Sequence, residues 1–461
     1  MSTEVPTVAE RRKSPLDRLL SLGADVRAGE GSTALLLALN GFLVLAAYYC
    51  IRPLRAALLL PVEIQVPGGP LLKGAEITAY LGAVLAGLFL VIVPLYSALA
   101  TRVNRIRLLL SVTTFFIVTL LGFFAIATSG AFPTAVGILF YLWASVFNLM
   151  VIAQFWSFAN DLYTPEQGKR LFAIVGFGGS VGAATGALIV STLAVRVGRT
   201  QMMLVAAIML TVCLFLTYLI HQRDRRKPLA GTTDTATEKS IGGQGGFRLV
   251  LGSSYLLAIG LLTLTVQFVN TNGNYILNAT VSGMAAAAAQ AGSQDEADTI
   301  LATMAGVDLW QNLLTMGIQF FLVSRIFKYL GIGGALFVLP VIALGSYSLF
   351  ALAPVLSMIR IAKVTENATD YSVQNTVRRA LFLPTSRDAK YKALQAVETF
   401  FWRAGDLVSS IAVLVFITWL QVSTQSFALV NILVIGAWLG LAAFLGRRNR
   451  RLTAEAERVA A

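Results

Sequence analysis

Residues 357–384 read SMIRIAKVTENATDYSVQNTVRRALFLP, a polar run set inside a strongly apolar chain. Arg360, Lys363, Asn367 and Asp370 follow one another at spacings of three, four and three residues, which puts them on one face of a helix. Charges at membrane depth cost roughly 3 kcal/mol each even on a lenient scale, so they face a bundle interior or a watery cavity. Lys363 and Glu366, three apart, can pair and simply hold helices together, but pairing does not account for the whole polar face. The expectation is a helix that lines a solute pathway.

Working outward, the rest of the chain explains why such a face is unusual. Of 461 residues, 56% are hydrophobic and 13% charged, with a mean hydropathy of +0.73. These values describe a protein that crosses a membrane many times. The formal charge of +13 would suggest nucleic acid in a soluble protein; here its distribution decides its meaning, and no nucleic-acid partner is expected. Cys50 and Cys213 both lie in apolar runs, which implies neither a disulfide nor a metal site. His221 ends a span beside Gln222 and Arg223 and reads as interfacial. The N-terminal stretch MSTEVPTVAERRKSP is too hydrophilic for a cleavable signal. Leu16, Leu19, Leu20 and Val26 suit a short amphipathic helix on the membrane surface.

Apolar runs of about 20 residues, the length needed to cross a bilayer, fall near 33–60, 76–100, 108–128, 132–159, 171–193 and 200–220. A second set follows near 253–279, 301–325, 332–352, 354–381, 393–419 and 425–446, with Pro354 the clear break in the 332–381 region. The expectation is an all-α integral membrane protein of twelve transmembrane helices in two six-helix halves. The segments are then a cytoplasmic N-terminal stretch 1–32, a first half 33–220, a flexible cytoplasmic linker 221–252, a second half 253–446 and a cytoplasmic tail 447–461. With that division 28 basic residues fall on the side of the termini, three on the other side and five within the spans. The positive-inside rule then puts both termini in the cytoplasm of a bacterial-type inner membrane, with some contact to anionic lipid. The halves also echo each other: Leu162-Tyr163-Thr164-Pro165 after the fourth span matches Leu381-Phe382-Leu383-Pro384 after the tenth, each followed by a basic segment. A six-span repeat of this kind is what the major facilitator architecture predicts, with a substrate site near the bilayer midplane.

Patterns that suggest enzymes do not hold up. Gly178-Gly179-Ser180-Val181-Gly182 fits G-x-S-x-G, but a nucleophile elbow needs a strand-to-helix turn and a histidine partner. Gly178, Gly182 and Gly186 recur every four residues, as a helix-packing face does. Gln167-Gly168-Lys169-Arg170 lacks the earlier glycine and the Ser/Thr of a P-loop. No zinc spacing occurs, no cofactor is expected, and the chain does not read as an enzyme.

The intramembrane charges carry the function. Arg52 and Arg55 share a face of the first span, with Tyr48 one turn earlier, and they reach a depth similar to that of Lys363 and Arg360. Arg403 and Asp406 lie in the eleventh span and can neutralise each other at i,i+3. Five cations (Arg52, Arg55, Arg360, Lys363 and Arg403) stand against three acids at comparable depth (Glu366, Asp370 and Asp406). That surplus favours an anionic solute, since arginine grips phosphate or carboxylate with two parallel hydrogen bonds.

Asn148 to Phe172 (NLMVIAQFWSFANDLYTPEQGKRLF), the following GFGGSVGAATG, Ile51-Arg52-x-x-Arg55, Asp370-Tyr371-Ser372, Leu383-Pro384, Lys390-Tyr391-Lys392 and Arg403-x-Gly405 together resemble the ATP/ADP translocase family of the major facilitator superfamily. The resemblance covers nearly the whole chain and is most specific in FWSFANDLYTPEQGKRLF. It implies a nucleotide antiporter exchanging ATP for ADP; some relatives carry other nucleotides or use a proton gradient. The chain diverges from the family pattern, with Arg55-Ala56 where the pattern has Lys-Asp, Asp370 where it has lysine before Tyr-Ser, Val377-Arg378-Arg379 where it has Thr-Lys-Glu, and Asp406 where it has the lysine of Arg-x-Gly-Lys.

Three functions follow as expectations. The first is a secondary transporter, working as a monomer, that moves a nucleotide or related phosphorylated anion. Arg52, Arg55, Arg360, Lys363 and Arg403 would hold its phosphates, with Tyr48, Tyr371 or Trp402 available to stack on a base. The second is a symporter of a smaller anion in which Glu366 or Asp370 takes up the coupling proton, and the third a membrane scaffold that transports nothing. Asp161, Lys169, Arg170 and Asp406 are added as coupling or gating residues; Asp161 and Glu166 are expected to pair with Lys169 and Arg170 at the cytoplasmic ends of the fourth and fifth spans.

Overall fold

The structure, a computed structural model, describes residues 13–21, 25–225, 246–292, 295–352, 355–386 and 389–460. Most of the linker and the break at Pro354 lie outside the described residues, as do the side chains of Lys169, Lys390 and Tyr391. The short amphipathic helix forms as α1 (Pro15–Leu20). It is tied down by Asp17, whose carboxylate accepts from the Ser14 hydroxyl and backbone N–H and from the backbone N–H groups of Gly29 and Gly31. The Gly29 amide bond contributes most to holding the Asp17 carboxyl down at about 2, against the opposing effect of burial.

The first six long helices keep the expected order. They are α2 (Gly31–Leu59), α3 (Gly74–Arg102), α4 (Arg105–Ser129), α5 (Pro133–Leu162), α6 (Pro165–Val197) and α7 (Gln201–Arg225). A hairpin of β1 (Glu63–Gln65) and β2 (Leu71–Lys73), antiparallel with Glu63 opposite Lys73, joins α2 to α3 and was not expected from the sequence. Local chemistry sets several boundaries. Asn104 caps α4, which ends at Gly130 with φ 69°; Thr164 and Gln167 form a reciprocal capping box at the start of α6, with Pro165 in its first turn. Every fourth residue of α6 packs on α2: a methyl group on Gly178, Gly182 or Gly186 would overlap the backbone carbonyls of Ala38, Phe42 and Ala46. Ser180 instead bonds the carbonyl of Gly176 in its own helix, as an ordinary helical serine does.

The remainder comprises α8 (Gly246–Leu251), α9 (Ser254–Gln290), α10 (Glu296–Phe321), α11 (Val323–Ala335), α12 (Val338–Leu352), α13 (Leu356–Thr369), α14 (Asn375–Ala380), α15 (Leu394–Ala396), α16 (Trp402–Ala412) and α17 (Thr424–Ala460). The helices from α13 onward are joined through π-helical turns, notably Asp370–Gln374 between α13 and α14 and Val397–Phe401 before α16. Among the described residues nine helices are long and apolar enough to cross a membrane, or ten if the α10–α11 pair, bent by 74°, counts as one span. The expected spans at 332–352 and 354–381 fall outside that set for two physical reasons. Gly331 breaks α11 with φ 64°, leaving the 15-residue α12 as a short apolar helix, and α13–α14 carries the charges of the opening motif.

The helices sort into two compact units. One contains the described parts of Met1–Leu58, Ile92–Thr232 and Leu301–Leu309, the other those of Leu59–Val91, Thr233–Ile300 and Trp310–Ala461. Within the first, Val26, Leu37, Phe155, Phe158, Tyr163, Leu171 and Ile220 make one buried cluster. A second aromatic group stacks Trp143 between Phe140 and Phe147. In the second unit α9 packs against α16, α13 and α17. Large apolar side chains such as Leu90, Phe115, Val118, Ile208 and Leu433 stay exposed, as a surface facing lipid requires.

Candidate functional site

In the first unit Arg52 and Arg55 occupy the same side of α2, as their spacing predicts. The Arg52 guanidinium lies 5.5 Å from the ring centre of Tyr49 and 3.2 Å from a carboxylate oxygen of Asp308. Arg55 stacks over Tyr141 at 5.0 Å and donates to the Ser145 hydroxyl at 3.3 Å. Both arginines are half-buried, while Asp308 is 5% exposed. Tyr48 is buried, packed edge-on against Tyr49 and tilted against Phe147. The sequence reading overlooked Asp308; the visible signal was a lone acid in the apolar run 301–325.

In the second unit the opening motif becomes α13 and the π turn after it. Lys363 is fully buried, and its ammonium donates to the Asn270 carbonyl at 3.1 Å, the Asn270 side-chain oxygen at 2.7 Å and Glu366 at 3.0 Å. All three of its hydrogens are therefore engaged. Asn367 donates to Gln311, whereas Arg360 is only half-buried. Asp370, Gln374 and Arg378 follow at four-residue steps and are all buried, a register that the wider π turn keeps on one face. Arg378 stacks on the Trp402 ring at 4.6 Å. Among the described residues, Asp370 Oδ2, Glu366 Oε2, both ends of the Gln374 amide, and Nε and one terminal nitrogen of Arg378 have no hydrogen-bond partner. Tyr371, unlike its neighbours, is exposed. The eleventh-span pair forms with Arg403 and Asp406 3.2 Å apart; Asp406 also accepts from Gln267 and Thr271, and Arg403 lies 4.6 Å from the Phe89 ring centre.

These contacts revise the charge inventory. Asp308 adds a fourth acid and Arg378, which the sequence reading assigned to the cytoplasmic side, a sixth cation. The polar stretch TVQFVNTNGN at 265–274 supplies Gln267, Asn270 and Thr271, none of which the sequence reading singled out.

Two residues of the expected gating cluster have partners on the N-terminal arm, while the Lys169 side chain lies outside the described residues. Arg170 pairs with Glu30 at 2.9 Å, and Glu166 with Arg27 at 2.7 Å. Both partners come from the segment before α2, where Glu30 also accepts from the Gln167 side chain. Glu30 ionises more readily than an ordinary carboxyl: burial opposes this, but the hydrogen bonds from Arg170, Arg27 and Gln167 outweigh it. Asp161 is exposed. A separate cavity of about 450 Å³ lies in the second unit, lined by Arg248, Ser253, Thr385, Ser386 and Arg448 and away from the intramembrane charges.

The architecture is that of an all-α chain whose long apolar helices can cross a membrane many times. Residues 134–271 match the family model described as TLC ATP/ADP transporter, and the chain resembles that family as a divergent member. No curated protein matches the chain. Among solved structures it is similar to the nucleoside transporter NupG, with a TM-score of 0.62 and 12% identity over 89% of this chain and 98% of that one. It is also similar to a POT peptide transporter solved in complex with sulfate, with a TM-score of 0.61 and 13% identity over 95% and 99%. A bacterial homolog of the human lysosomal transporter Spinster, in an inward-facing and unoccupied conformation, has a TM-score of 0.59 and 12% identity over 91% and 98%. At such identities the likeness shows the fold alone. Family match and fold together define a multi-pass secondary membrane transporter, not an enzyme.

Proposed function

We propose that this transporter moves a nucleotide or related phosphorylated anion by alternating access, as a monomer in a bacterial-type inner membrane with both termini cytoplasmic. The observation that carries the reading is the pair Arg52 and Arg55 on one face of α2, half-buried beside aromatic rings, with Asp308 paired to Arg52. A planar guanidinium presents two parallel N–H groups to phosphate, and two of them one turn apart can grip a polyphosphate. Arg403, partly exposed beside Asp406, is a further candidate ligand. Lys363 has to release Asn270 or Glu366 before it can bind a solute. The match of residues 134–271 to an ATP/ADP transporter family supports nucleotide as the class. Uptake of labelled ATP into proteoliposomes, with and without internal ADP, tests it: stimulation by internal ADP supports exchange, and no uptake of ATP, ADP or phosphate removes the reading.

A second reading, proton-coupled symport of a smaller anion, is favoured by one feature. Glu366 and Asp370 are buried, and each has a carboxylate oxygen that accepts no hydrogen bond. Ionisable residues within membrane spans commonly serve as proton relays in transporters. Uptake driven by an imposed inward proton gradient, lost in Asp370→Asn, would select this reading over exchange.

A further inference from the structure

Asp308 stands where a substrate anion would stand if Arg52 is a phosphate ligand. Its carboxylate is 3.2 Å from the Arg52 guanidinium, it is 5% exposed, and it comes from α10, far from α2 in sequence. Arg55, three residues on, is met by a hydroxyl and a tyrosine ring, and no carboxylate reaches it within ion-pair distance among the described residues. Among the described residues, the carboxylate seen against these two guanidinium groups is that of Asp308. An unpaired cation at membrane depth is expensive, and removing one member of a buried pair leaves its partner uncompensated.

Building on the phosphorylated-anion reading above, we propose that Asp308 is an internal stand-in for the substrate: it neutralises Arg52 in the empty carrier and gives way when an anionic group binds. Two consequences follow from charge alone. Asp308 competes with the ligand, so removing its charge tightens anion binding. Asp308 also lets the empty carrier reorient, because without it only the loaded carrier has its arginine charge balanced. Its loss therefore shifts the protein from net flux toward obligatory exchange. A purely structural ion pair has neither effect, since it would affect folding and both modes of flux together.

The test uses the purified full chain with ATP, ADP and inorganic phosphate as probes, comparing wild type with Asp308→Asn and Asp308→Glu. Thermal-shift titration reads affinity, and proteoliposomes read net and exchange flux separately. The expected result for Asp308→Asn is binding about tenfold tighter or more, with the ratio of net to exchange flux falling by at least about the same factor. Affinity no tighter than wild type, or a proportional loss of both fluxes, overturns the proposal while the transport reading stands. If none of the probes binds wild type or variant, the phosphorylated-anion reading fails and the proposal falls with it. Should Asp308→Asn not fold, Asp308→Glu decides: it keeps the carboxylate and must still carry net flux, and loss of net flux in a folded Glu variant overturns the proposal.

Discussion

Lys363 is a buried charge whose availability depends on its partners. Its three hydrogens are engaged by Asn270 and Glu366, so it is part of a closed network. Substituting Lys363 by Met strands Glu366 and should cost about 3 to 5 kcal/mol, whereas Lys363→Met with Glu366→Leu should recover most of that stability. Thermal unfolding in detergent checks it, and equal loss in single and double variants would show that the pair does not act as a unit. Arg52 and Arg55 should behave differently. Arg52→Lys and Arg55→Lys keep the charge but lose the planar fork, so both should fold normally and bind ATP about tenfold more weakly per 1.4 kcal/mol lost. Unchanged ATP affinity in both lysine variants would remove these arginines from the site. The cations were legible because a basic residue in an apolar run stands out. Asp308 and Asn270 were not, since a single acid or amide in a long span gives no periodic signal, and only the fold shows which cation each one meets.

At the scale of elements, the glycine stripe of α6 was legible because a four-residue period has one physical use in an apolar helix, close approach to another helix. Gly182→Ala should force α2 and α6 apart and cost about 1 to 3 kcal/mol, measured by thermal unfolding; a neutral effect would mean that the two backbones are not in contact. The N-terminal arm was only half legible. Its amphipathic helix could be read, but Arg170 pairing with Glu30 and Glu166 with Arg27 joins residues well over a hundred positions apart, which no local pattern reveals. The arm should also be sensitive to acid. Glu30 and Asp17 both have carboxyls lowered from their ordinary values of 4.5 and 3.8. Each thus adds stability that is complete above those values and is lost as pH falls, for Asp17 down through about 2. Melting temperatures measured from pH 7 down to pH 3 should fall less in Glu30→Gln than in wild type, and parallel curves would show that Glu30 contributes nothing. The break at Gly331 and the π turn at Asp370–Gln374 were not legible, because hydropathy carries no information on backbone register inside an apolar run.

For the whole molecule, hydropathy and the basic-residue asymmetry make the membrane class and the order of spans readable, because a bilayer demands about 20 apolar residues per crossing. The exact count is less readable where a span carries charges, as in α13–α14, or where an apolar helix is short, as in α12. The twelve-span proposal requires both to cross, with the chain ends cytoplasmic. Alkaline phosphatase fused at the C-terminus should be inactive, and strong activity there would reverse the orientation. The central claim is that the chain exchanges phosphorylated anions through the arginine face of α2. Its most direct measurement is uptake of labelled ATP by proteoliposomes containing the purified full chain, loaded with ADP or left empty. The account predicts uptake that is stimulated by internal ADP and weakened in Arg52→Lys and Arg55→Lys. No uptake of ATP or ADP under either loading, by protein that is folded and inserted, would contradict it.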